Sequence, residues 1–454
     1  MRTVFFTVFQ AVEVKNLLRT SVVDKLLKEP DVRVVLFMKN QVRIDHYKKE
    51  FSHPRLVYEA VNIPRSRGLD AFFSGLKFTL LRTDTTRLRR KLFFEDDKNA
   101  FRYYAGSFLN WSLARSSVRR VARALDYGFV SSNAYAPYFE KYKPDAVFCA
   151  HLFDEAEVGL LREAKKRSIK TIGFINSWDK VTARCILRLL PDKMIVFNDV
   201  IKDEIIRHNE MPGEDILTSG IPQYDYYFEG ACSPREEFFK KIGIDPRKKL
   251  IVFVPAGQFS SNSDWLAIDL LYKLEREEKF GKNTAILVRF PPNHFLDEKE
   301  AEKRKSFLKY DHPGVRFMSK MRGDWDMTQE DLTHLKDTLY HMSLLISYGA
   351  SSVNIDSAVF NKPIIQLNFE LMKSAVPSKS IPRYYNMEHI KKAFASGGAR
   401  KVGDADELAE WVNKYLKNPS LDEKGRKNIV AEQYKYLDGK AAERIADYIL
   451  NEIK

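Results

Sequence analysis

The sequence predicts an α/β protein made of two consecutive domains, each built around a parallel sheet. Short apolar runs alternate with longer amphipathic stretches along most of the chain, and this alternation is typical of right-handed βαβ units. The chain also has 454 residues, which is more than a single hydrophobic core usually organises. Because ligands bind beyond the carboxyl ends of parallel strands, we expect the two domains to face a central cleft.

The first domain is predicted over residues 1–228, as a Rossmann-like domain. It opens with a strand in RTVFFTVF, an amphipathic helix in AVEVKNLLRTSVVDKLLKE and a second strand in VRVVLFM. Strands and helices alternate again from DAVFCA onward, after a helical interruption over about 65–127.

This interruption is predicted to be a basic, aromatic insertion. Between Arg65 and Leu125 there are 14 lysines and arginines against 5 aspartates and glutamates, with aromatic residues among them. Such a segment suits an anionic membrane surface, because the rings enter the acyl boundary and the cations meet phosphate headgroups. A solvated basic face explains the composition equally well. A nucleic-acid surface is a third interpretation, although the sequence has no recognised nucleic-acid motif.

The second domain follows a polar stretch with glycine and proline, which predicts a linker at 229–247. This Rossmann-like domain is predicted over 248–430. Residues 431–454 are expected to form a C-terminal helix that packs back toward the N-terminal domain. The strands of the second domain are predicted in LIVFVPAGQ, TAILVRF, GVRFMS, LLISYG and PIIQLNF.

Composition narrows the classes of protein to consider. The chain is 44% hydrophobic and 30% charged, as soluble globular proteins are, and no apolar run reaches the length of a membrane span. Its cysteines, Cys149, Cys185 and Cys232, are few and widely spaced, which favours a reducing compartment and argues against a disulfide framework. No common zinc-protease, serine-hydrolase or P-loop motif occurs. We therefore expect a cytoplasmic protein.

Three predicted strand ends in the second domain suit an anionic ligand. Ser351 and Ser352 follow the strand LLISYG and begin a helix, where free backbone N–H groups and the helix dipole favour negative charge. Helix capping is the alternative role for these serines. Gly257 leaves another strand in a turn suited to phosphate, and Arg289 ends a third. An ordinary turn and an ion pair with a carboxylate are the respective alternatives.

Polar residues also follow two strands of the first domain. Asp179 and Trp178 come after the strand KTIGFI, where the carboxylate suits a general base and the ring a substrate platform. His151 follows the strand DAVFCA and suits acid–base chemistry. Asp154 lies just beyond it at the start of a helix. A turn or cap residue is the alternative for either aspartate.

Several of these segments resemble one group of enzymes. TSGIPQYDYY and ISYGASSVNIDSAVFNKPIIQL resemble motifs of GT-B-fold enzymes, in the group that includes CDP-glycerol glycerophosphotransferase-like proteins and UDP-N-acetylglucosamine 2-epimerase. FINSWDKVTAR and LDGKAAERIADYI resemble a glycosyltransferase-like branch of that group. The resemblance extends from about Asp145 to the C-terminus, and it implies a GT-B-like pair of Rossmann-like domains.

The resemblance implies a nucleotide-activated donor bound mainly by the second domain. Ser351 and Ser352 would contact the diphosphate and Asp356 the ribose or sugar hydroxyls, with Gly257 and Arg289 as further phosphate contacts. Enzymes of this fold usually need no bound metal or other cofactor. The acceptor is expected to be a glycan or a lipid-linked molecule.

The sequence departs from the glycerophosphotransferase pattern at two motifs. The W-H-G-T motif of those enzymes falls where this chain has Trp178–Asp179–Lys180, and their R-x-H-P motif falls at Arg289–Phe290–Pro291–Pro292. With neither histidine in place, the pattern favours sugar transfer with Asp179, or else His151, as the base, and Trp178 and Asp154 on the acceptor side.

We therefore predict a metal-independent glycosyltransferase in surface polysaccharide or glycolipid assembly. It would be cytoplasmic and would contact the inner face of the cell membrane through residues 65–125. The first alternative is a CDP-glycerol-type glycerol- or polyol-phosphate transferase. The second is a non-catalytic protein that binds nucleic acid or an anionic polymer, whereas the transferase interpretation predicts no nucleic-acid partner.

Overall fold

The structure is a computed structural model that describes residues 1–63, 65–131, 133–317, 325–372 and 376–454. It divides into two compact units, which we call unit 1 and unit 2. Unit 1 contains residues 1–87, 99–229 and 435–454. Unit 2 contains residues 88–98 and 230–434.

Unit 1 is built around a parallel sheet with the strand order β3-β2-β1-β4-β5-β6-β7. Its strands are nearly continuous apolar runs, as expected when helices cover both faces of a parallel sheet. Aromatic side chains fill much of the core; Phe5 packs edge-on against Phe37, with ring centroids 4.9 Å apart. The strands are Arg2–Thr7 (β1), Val32–Met38 (β2), Leu56–Ala60 (β3), Ala146–Cys149 (β4), Lys170–Phe174 (β5), Lys193–Val196 (β6) and Ile216–Thr218 (β7).

Unit 2 has a second parallel sheet with the order β10-β9-β8-β13-β14-β15, and a separate antiparallel pair, β11 and β12. The two parallel sheets confirm the predicted fold class. The strands are Lys249–Val254 (β8), Thr284–Arg289 (β9), Tyr310–Asp311 (β10), Val315–Arg316 (β11), Trp325–Asp326 (β12), Leu344–Ser347 (β13), Ile364–Leu367 (β14) and Arg400–Val402 (β15).

One predicted strand of unit 2 is wrong. GVRFMS was expected to join the parallel sheet, but Val315 and Arg316 pair antiparallel with Asp326 and Trp325 instead. The edge position of the sheet is taken by β10, just before Pro313 and Gly314. Gly314 has a φ of +96°, a turn conformation that ends β10 and redirects the chain. Met318 and Ser319, the end of the predicted strand, lie outside the described residues.

Helices cover both sheets, and several begin at a side chain that caps them. Asn198, for example, accepts the backbone N–H of Ile201 at 2.9 Å. The α-helices are Ala11–Glu13 (α1), Ser21–Lys28 (α2), Gln41–Glu50 (α3), Gly68–Thr79 (α4), Asp84–Asp97 (α5), Ala100–Leu113 (α6), Ser116–Phe129 (α7), Ala136–Tyr142 (α8), Glu155–Lys166 (α9), Lys180–Ala183 (α10), Asp199–Asn209 (α11), Arg235–Ile242 (α12), Asp264–Arg276 (α13), Glu298–Lys303 (α14), Gln329–His341 (α15), Ser352–Val359 (α16), Ile381–Tyr384 (α17), Glu388–Ala393 (α18), Ala405–Lys417 (α19), Glu423–Ile429 (α20) and Ala441–Glu452 (α21).

The basic insertion consists of α4 to α7. Residues Leu88–Lys98, which are most of α5 and the residue after it, group with unit 2, although the whole insertion was assigned to the first domain. There Glu95 accepts a hydrogen bond from Arg383 at 2.9 Å. The predicted linker likewise contains a helix, α12, and unit 2 begins at Gly230.

Buried ion pairs connect α7 to the core of unit 1. The carboxylate of Asp126 accepts hydrogen bonds from Arg162 on α9 at 2.7 Å and from Arg188 at 2.8 and 2.9 Å. All three side chains are buried, so the pairing compensates the cost of removing their charges from water. Beside this network lies a small apolar cluster that includes Leu80, Leu81, Ala122 and Ile186.

Asp225, in the GIPQYD segment, connects two motifs that lie far apart in the sequence. Its carboxylate accepts the backbone N–H groups of Ala441 at 3.1 Å and Ala442 at 2.7 Å, at the start of α21. Two N–H groups without an intrahelical partner are thereby satisfied by a residue more than 200 positions away. Burial raises the pKa of Asp225 to about 6, although these two hydrogen bonds favour the charged form and act to lower it.

Replacement of Asp225 by alanine is therefore expected to lower the free energy of unfolding of unit 1 by about 1–2 kcal/mol. Urea unfolding followed by circular dichroism measures the change. Asp225→Asn keeps one acceptor oxygen and should lose less of the free energy of unfolding. Equal stability of Asp225→Ala and the wild type would contradict this capping role.

Candidate functional site

In unit 1, the predicted site residues lie beyond the carboxyl ends of two neighbouring strands, β4 and β5. β1, β4 and β5 are adjacent in the sheet. His151 and Asp154 follow β4, and Trp178 and Asp179 follow β5. The parallel sheet thus brings these residues to one edge, as the sequence predicted.

The loop that carries His151 is held by a buried glutamate, Glu157, on the first turn of α9. Glu157 Oε2 accepts the backbone N–H of His151 at 2.7 Å, and Oε1 accepts the hydroxyl of Thr7 at 2.8 Å. The Thr7 hydroxyl in turn accepts the N–H of Ala150 at 2.9 Å. One carboxyl group therefore ties the loop after β4 to the end of β1.

A second buried glutamate, Glu13, organises the loop after β1. Its carboxylate accepts the backbone N–H groups of Phe9 and Gln10, the latter at 3.0 Å. Glu13 and Glu157 are both 0% exposed. Burial raises the pKa of Glu13 to about 7, and burial together with the nearby charge of Glu13 raises the pKa of Glu157 well above its ordinary value.

His151 is only 1% exposed, and neither ring nitrogen has a hydrogen-bond partner among the residues that the structure describes. Burial lowers its pKa well below the ordinary value, and the charges of Lys180, Arg184, Lys39 and Lys77 lower it further. The imidazole is therefore neutral at physiological pH, the form that accepts a proton.

Asp179 lies at the start of the short helix α10 and accepts a hydrogen bond from the hydroxyl of Ser177. It and Trp178 are partly buried, so both remain within reach of a ligand. The neighbouring Lys180 donates to Asn176 Oδ1 at 2.7 Å. Burial lowers the pKa of Lys180 to about 8, against the attraction of Asp179 and Glu13.

Asp154 is the N-cap residue of α9. Its carboxylate accepts the backbone N–H of Ala156 at 3.0 Å and lies 3.6 Å from the Lys39 ammonium group. The structure thus shows the capping role that was the alternative for this residue. A role in acceptor binding stays a prediction.

The buried glutamate pair predicts a pH-dependent difference in stability. Because both pKa values are raised in the folded state, that state binds more protons than the unfolded chain above about pH 4.5, and stability falls as the pH rises through about 7. Glu157→Gln removes the titration of Glu157. As the pH rises from 5 to 8, we expect the free energy of unfolding of the variant to increase relative to that of the wild type by about 1–3 kcal/mol.

Urea unfolding of both proteins at several pH values measures this difference. The lowered pKa of His151 makes stability rise with pH, which is the opposite effect. Because His151 is present in both proteins, its contribution cancels in the comparison. Glu163→Gln is a matched control, because Glu163 also lies on α9 but pairs with Arg167 at 2.8 Å. A difference between wild type and Glu157→Gln that does not change with pH would contradict the prediction.

In unit 2, the turn after β8 is held by another buried acid. Gly257 has a φ of +84°, a conformation that favours glycine. Asp264, on the first turn of α13, accepts the N–H groups of Ala256 at 3.2 Å and Gly257 at 2.8 Å. Burial raises the pKa of Asp264 to about 6, against these hydrogen bonds. The amides of Ala256 and Gly257 donate to Asp264, which fixes the turn at Gly257. A contact of Gly257 with phosphate stays a prediction.

His294 lies against this turn. Its Nδ1 accepts the N–H of Gln258 at 3.4 Å, which leaves the ring proton on Nε2 when the imidazole is neutral. Its ring is stacked on Phe290, with centroids 5.0 Å apart. Burial lowers the pKa of His294 to about 4, with contributions from His312 and Arg316.

The turn between β13 and α16 is built by a glycine and a capping residue. Gly349 has a φ of +94°, and its N–H donates to the Tyr385 hydroxyl at 3.0 Å. Ser351 is the N-cap residue of α16, and its N–H donates to Asn354 Oδ1 at 3.2 Å. Ser352, the first residue of the helix, is exposed. Capping by Ser351 and an accessible helix start therefore occur together.

The other two donor-site candidates are buried. Asp356, on the same helix, is 2% exposed. Arg289, at the end of β9, lies 3.3 Å from Asp311, which also accepts a hydrogen bond from His334 at 2.9 Å. The ion pair that was the alternative for Arg289 is thus formed, and a contact with phosphate stays a prediction.

Sequence reasoning did not select Glu13, Glu157, Asp264 or His294. The three acids lie on the first turn of a helix that follows a strand, where an acid resembles an ordinary capping residue. His294 lies in the loop after β9. A signal for Asp264 was available, because an acid seven residues after the Gly257 turn can reach back to its amides. In the described part of the chain, no three His, Cys, Asp or Glu side chains are arranged to hold a metal ion.

The chain was compared with known proteins. A lipid-A-disaccharide synthase from Persephonella marina is 23% identical over 312 aligned positions, and the alignment covers 64% of this chain and 73% of that protein. The UDP-GlcNAc 2-epimerase from Neisseria meningitidis, solved with UDP-GlcNAc, has a TM-score of 0.55 at 12% identity over 99% of this chain and all of that one. The wall teichoic acid polymerase TagF, solved with CDPG, has a TM-score of 0.51 at 14% identity over all of this chain and 88% of that one.

The two solved structures share the GT-B-like fold predicted from the sequence. The model of one family, described as CDP-Glycerol:Poly(glycerophosphate) glycerophosphotransferase, matches residues 179–451. This match starts at Asp179, runs through all of unit 2 from Gly230 onward and covers more than half of the chain. The chain therefore belongs to the CDP-glycerol:poly(glycerophosphate) glycerophosphotransferase family, a family of transferases.

Proposed function

We propose that this protein is a metal-independent glycosyltransferase that moves a sugar from a nucleotide-activated donor to an acceptor hydroxyl in surface polysaccharide or glycolipid assembly. The observation that carries the proposal is the exposed start of α16 at the carboxyl end of β13. At a helix start the first N–H groups lack an intrahelical acceptor and the helix dipole favours a diphosphate. In α16 the N–H of Asn354 already donates to the Ser351 carbonyl at 3.1 Å, so the N–H groups of Ser352 and Val353 are the ones we assign to the diphosphate. Ser352 adds a hydroxyl at the same position.

Asp179 is the proposed general base. Its carboxylate takes the proton of the acceptor hydroxyl, the acceptor oxygen attacks the anomeric carbon, and the bond from that carbon to the diphosphate oxygen breaks. The nucleoside diphosphate leaves with its developing charge stabilised by the helix N–H groups. The hydrogen bond from Ser177 orients Asp179. His151, neutral and buried, is the second candidate for the base.

Transfer of glycerol phosphate or a polyol phosphate is the second candidate function. The family match over residues 179–451 favours it, because that family is described by transfer from CDP-glycerol. In that reaction the acceptor oxygen attacks phosphorus and CMP leaves. Trp178–Asp179–Lys180 would place a carboxylate where the family pattern has a histidine, so sugar transfer remains our first proposal.

We further propose that unit 1 contacts an anionic membrane at the cytoplasmic face, where it would meet a glycan or lipid-linked acceptor. Among the described residues, no helix is long and apolar enough to span a bilayer. On α6, Phe101, Tyr104, Phe108 and Trp111 are all more than half exposed and recur at helical spacing. Arg102 is exposed between them, which supports an attraction to anionic headgroups.

A panel of nucleotides tests the donor site. At a hundred times its dissociation constant, a ligand adds about 2.7 kcal/mol to the free energy of unfolding. We expect UDP or another nucleoside diphosphate to raise the melting temperature of the wild type, and this shift to be lost in Ser352→Asp. The introduced carboxylate is compatible with the helix dipole but repels a diphosphate.

Ser352→Asn is the matched control, since it has a similar size and no charge, and it should keep most of the shift. Stabilisation by CMP and CDP alone would favour the second candidate function. An equal shift in Ser352→Asp and the wild type would place the nucleotide elsewhere. Stabilisation by nucleic acid, with no response to any nucleotide, would contradict both transferase proposals.

A further inference from the structure

Helix α4 of the basic insertion has two very different sides. Leu69, Phe72 and Phe78 are 55%, 58% and 52% exposed. Arg65 and Arg67, just before the helix, are exposed as well. Lys77, between these exposed positions in the sequence, is only 5% exposed. The helix thus presents large apolar side chains to solvent while it buries a charged one.

The buried ammonium group of Lys77 reaches the loop that carries His151. Its Nζ donates to the carbonyl oxygen of Phe153 at 3.2 Å and to the carboxylate of Glu155. Phe153 lies two residues after His151, and Glu155 is the first residue of α9. The same carboxylate accepts the hydroxyl of Ser74, also on α4, at 2.8 Å.

The first turn of α9 therefore joins two sets of contacts. Glu155 binds Lys77 and Ser74 of α4, and Glu157 binds the backbone N–H of His151. The loop 150–154 is held from one side by Glu157 and from the other by Lys77. Arg188 strengthens the α4 side through ion pairs with Glu155 and, at 2.8 Å, with Asp70.

We propose that Lys77 is a positioning residue that couples the exposed face of α4 to the His151 loop, so that contact of this face with an anionic lipid surface orders the loop. The inference rests on the membrane contact proposed above, extends that contact from α6 to α4, and adds a consequence for the site. No residue of α4 would touch the substrate; the helix would act only through Lys77 and Ser74.

The physical basis is a shared cost of ordering. An α4 helix that moves must break its hydrogen bonds to Phe153 and Glu155 or move the loop with it. When Phe72 and Phe78 enter the acyl boundary, the helix loses that freedom, and the loop is then ordered at a smaller entropic cost. Arg65 and Arg67 favour an anionic surface over a neutral one.

Hydrogen exchange of the full chain tests the coupling. The probes are vesicles of phosphatidylglycerol with phosphatidylcholine, compared with phosphatidylcholine alone. In the wild type we expect the anionic vesicles to bind and to slow amide exchange in peptides covering 150–155 at least twofold. Lys77→Met should bind the same vesicles equally well in flotation but lose the slowing. Lys77→Arg, which keeps a buried donor, should retain most of it.

Lys165→Met is the control, because Lys165 lies at the other end of α9 and pairs with Asp192 at 2.9 Å; it should behave as the wild type. The inference is overturned if anionic vesicles bind the wild type without slowing exchange over 150–155, or if Lys77→Met keeps the slowing. Vesicles that do not bind at all would overturn it together with the membrane contact. The nucleotide panel is independent of this result and tests the transferase proposal separately.

Discussion

Replacement of Asp179 by asparagine is expected to lower the rate of transfer by about 10²–10⁴-fold, the usual contribution of general base catalysis. Asparagine can still accept the hydrogen bond from Ser177, so the loop geometry should persist. The substitution removes only the ability to take a proton. The measurement is release of nucleoside diphosphate, with the nucleotide chosen by the binding panel.

The matched comparison is His151→Gln, which removes the other candidate base from the same edge of the sheet. A large loss in His151→Gln, with little change in Asp179→Asn, would assign the base to His151 and overturn our choice. The nucleotide-induced shift in melting temperature should be unchanged in both variants, because neither residue belongs to unit 2. A loss of that shift in Asp179→Asn would indicate that the substitution disturbs more than proton transfer.

Replacement of Asp126 by alanine is expected to destabilise unit 1 by about 3–5 kcal/mol. The substitution removes the shared partner of Arg162 and Arg188 and leaves two buried guanidinium groups undercompensated. Urea unfolding, followed at the transition of unit 1, measures the loss. We expect α7 to be the first element to lose protection from hydrogen exchange.

An exposed ion pair provides the contrast. Glu140 pairs with Arg167, but its side chain is 69% exposed, so Glu140→Ala should change stability far less. Equal effects of Asp126→Ala and Glu140→Ala would show that the buried network contributes no more than a surface pair. In that case the small apolar cluster around Leu81 and Ile186 would be the main attachment of the insertion.

The sequence predicted the fold class because βαβ alternation is a local property. Nearly continuous apolar runs such as β1 and β2 are identifiable residue by residue. The same reasoning placed His151 and Asp179 at one edge of a sheet, since carboxyl ends of parallel strands share an edge. It failed for GVRFMS, where a proline and a positive-φ glycine redirect the chain out of the parallel sheet.

For the site, sequence reasoning identified the positions of candidate residues but not the side chains that contact them. Ser351 and Ser352 were recognised as a helix start, which is a local pattern, and the structure shows that start. The ion pair of Arg289 with Asp311 was only one of two alternatives, because it depends on β10 lying beside β9.

By itself, the sequence determined the two parallel α/β domains, the basic and aromatic character of the insertion and the polar residues at the strand ends. Only the tertiary structure decided that Glu13 and Glu157 are buried near each other, that Lys77 reaches the His151 loop and that Asp225 caps α21. The physical reason is that local periodicity reports which face of an element is buried. Strand order and packing decide which distant side chain contacts that buried face.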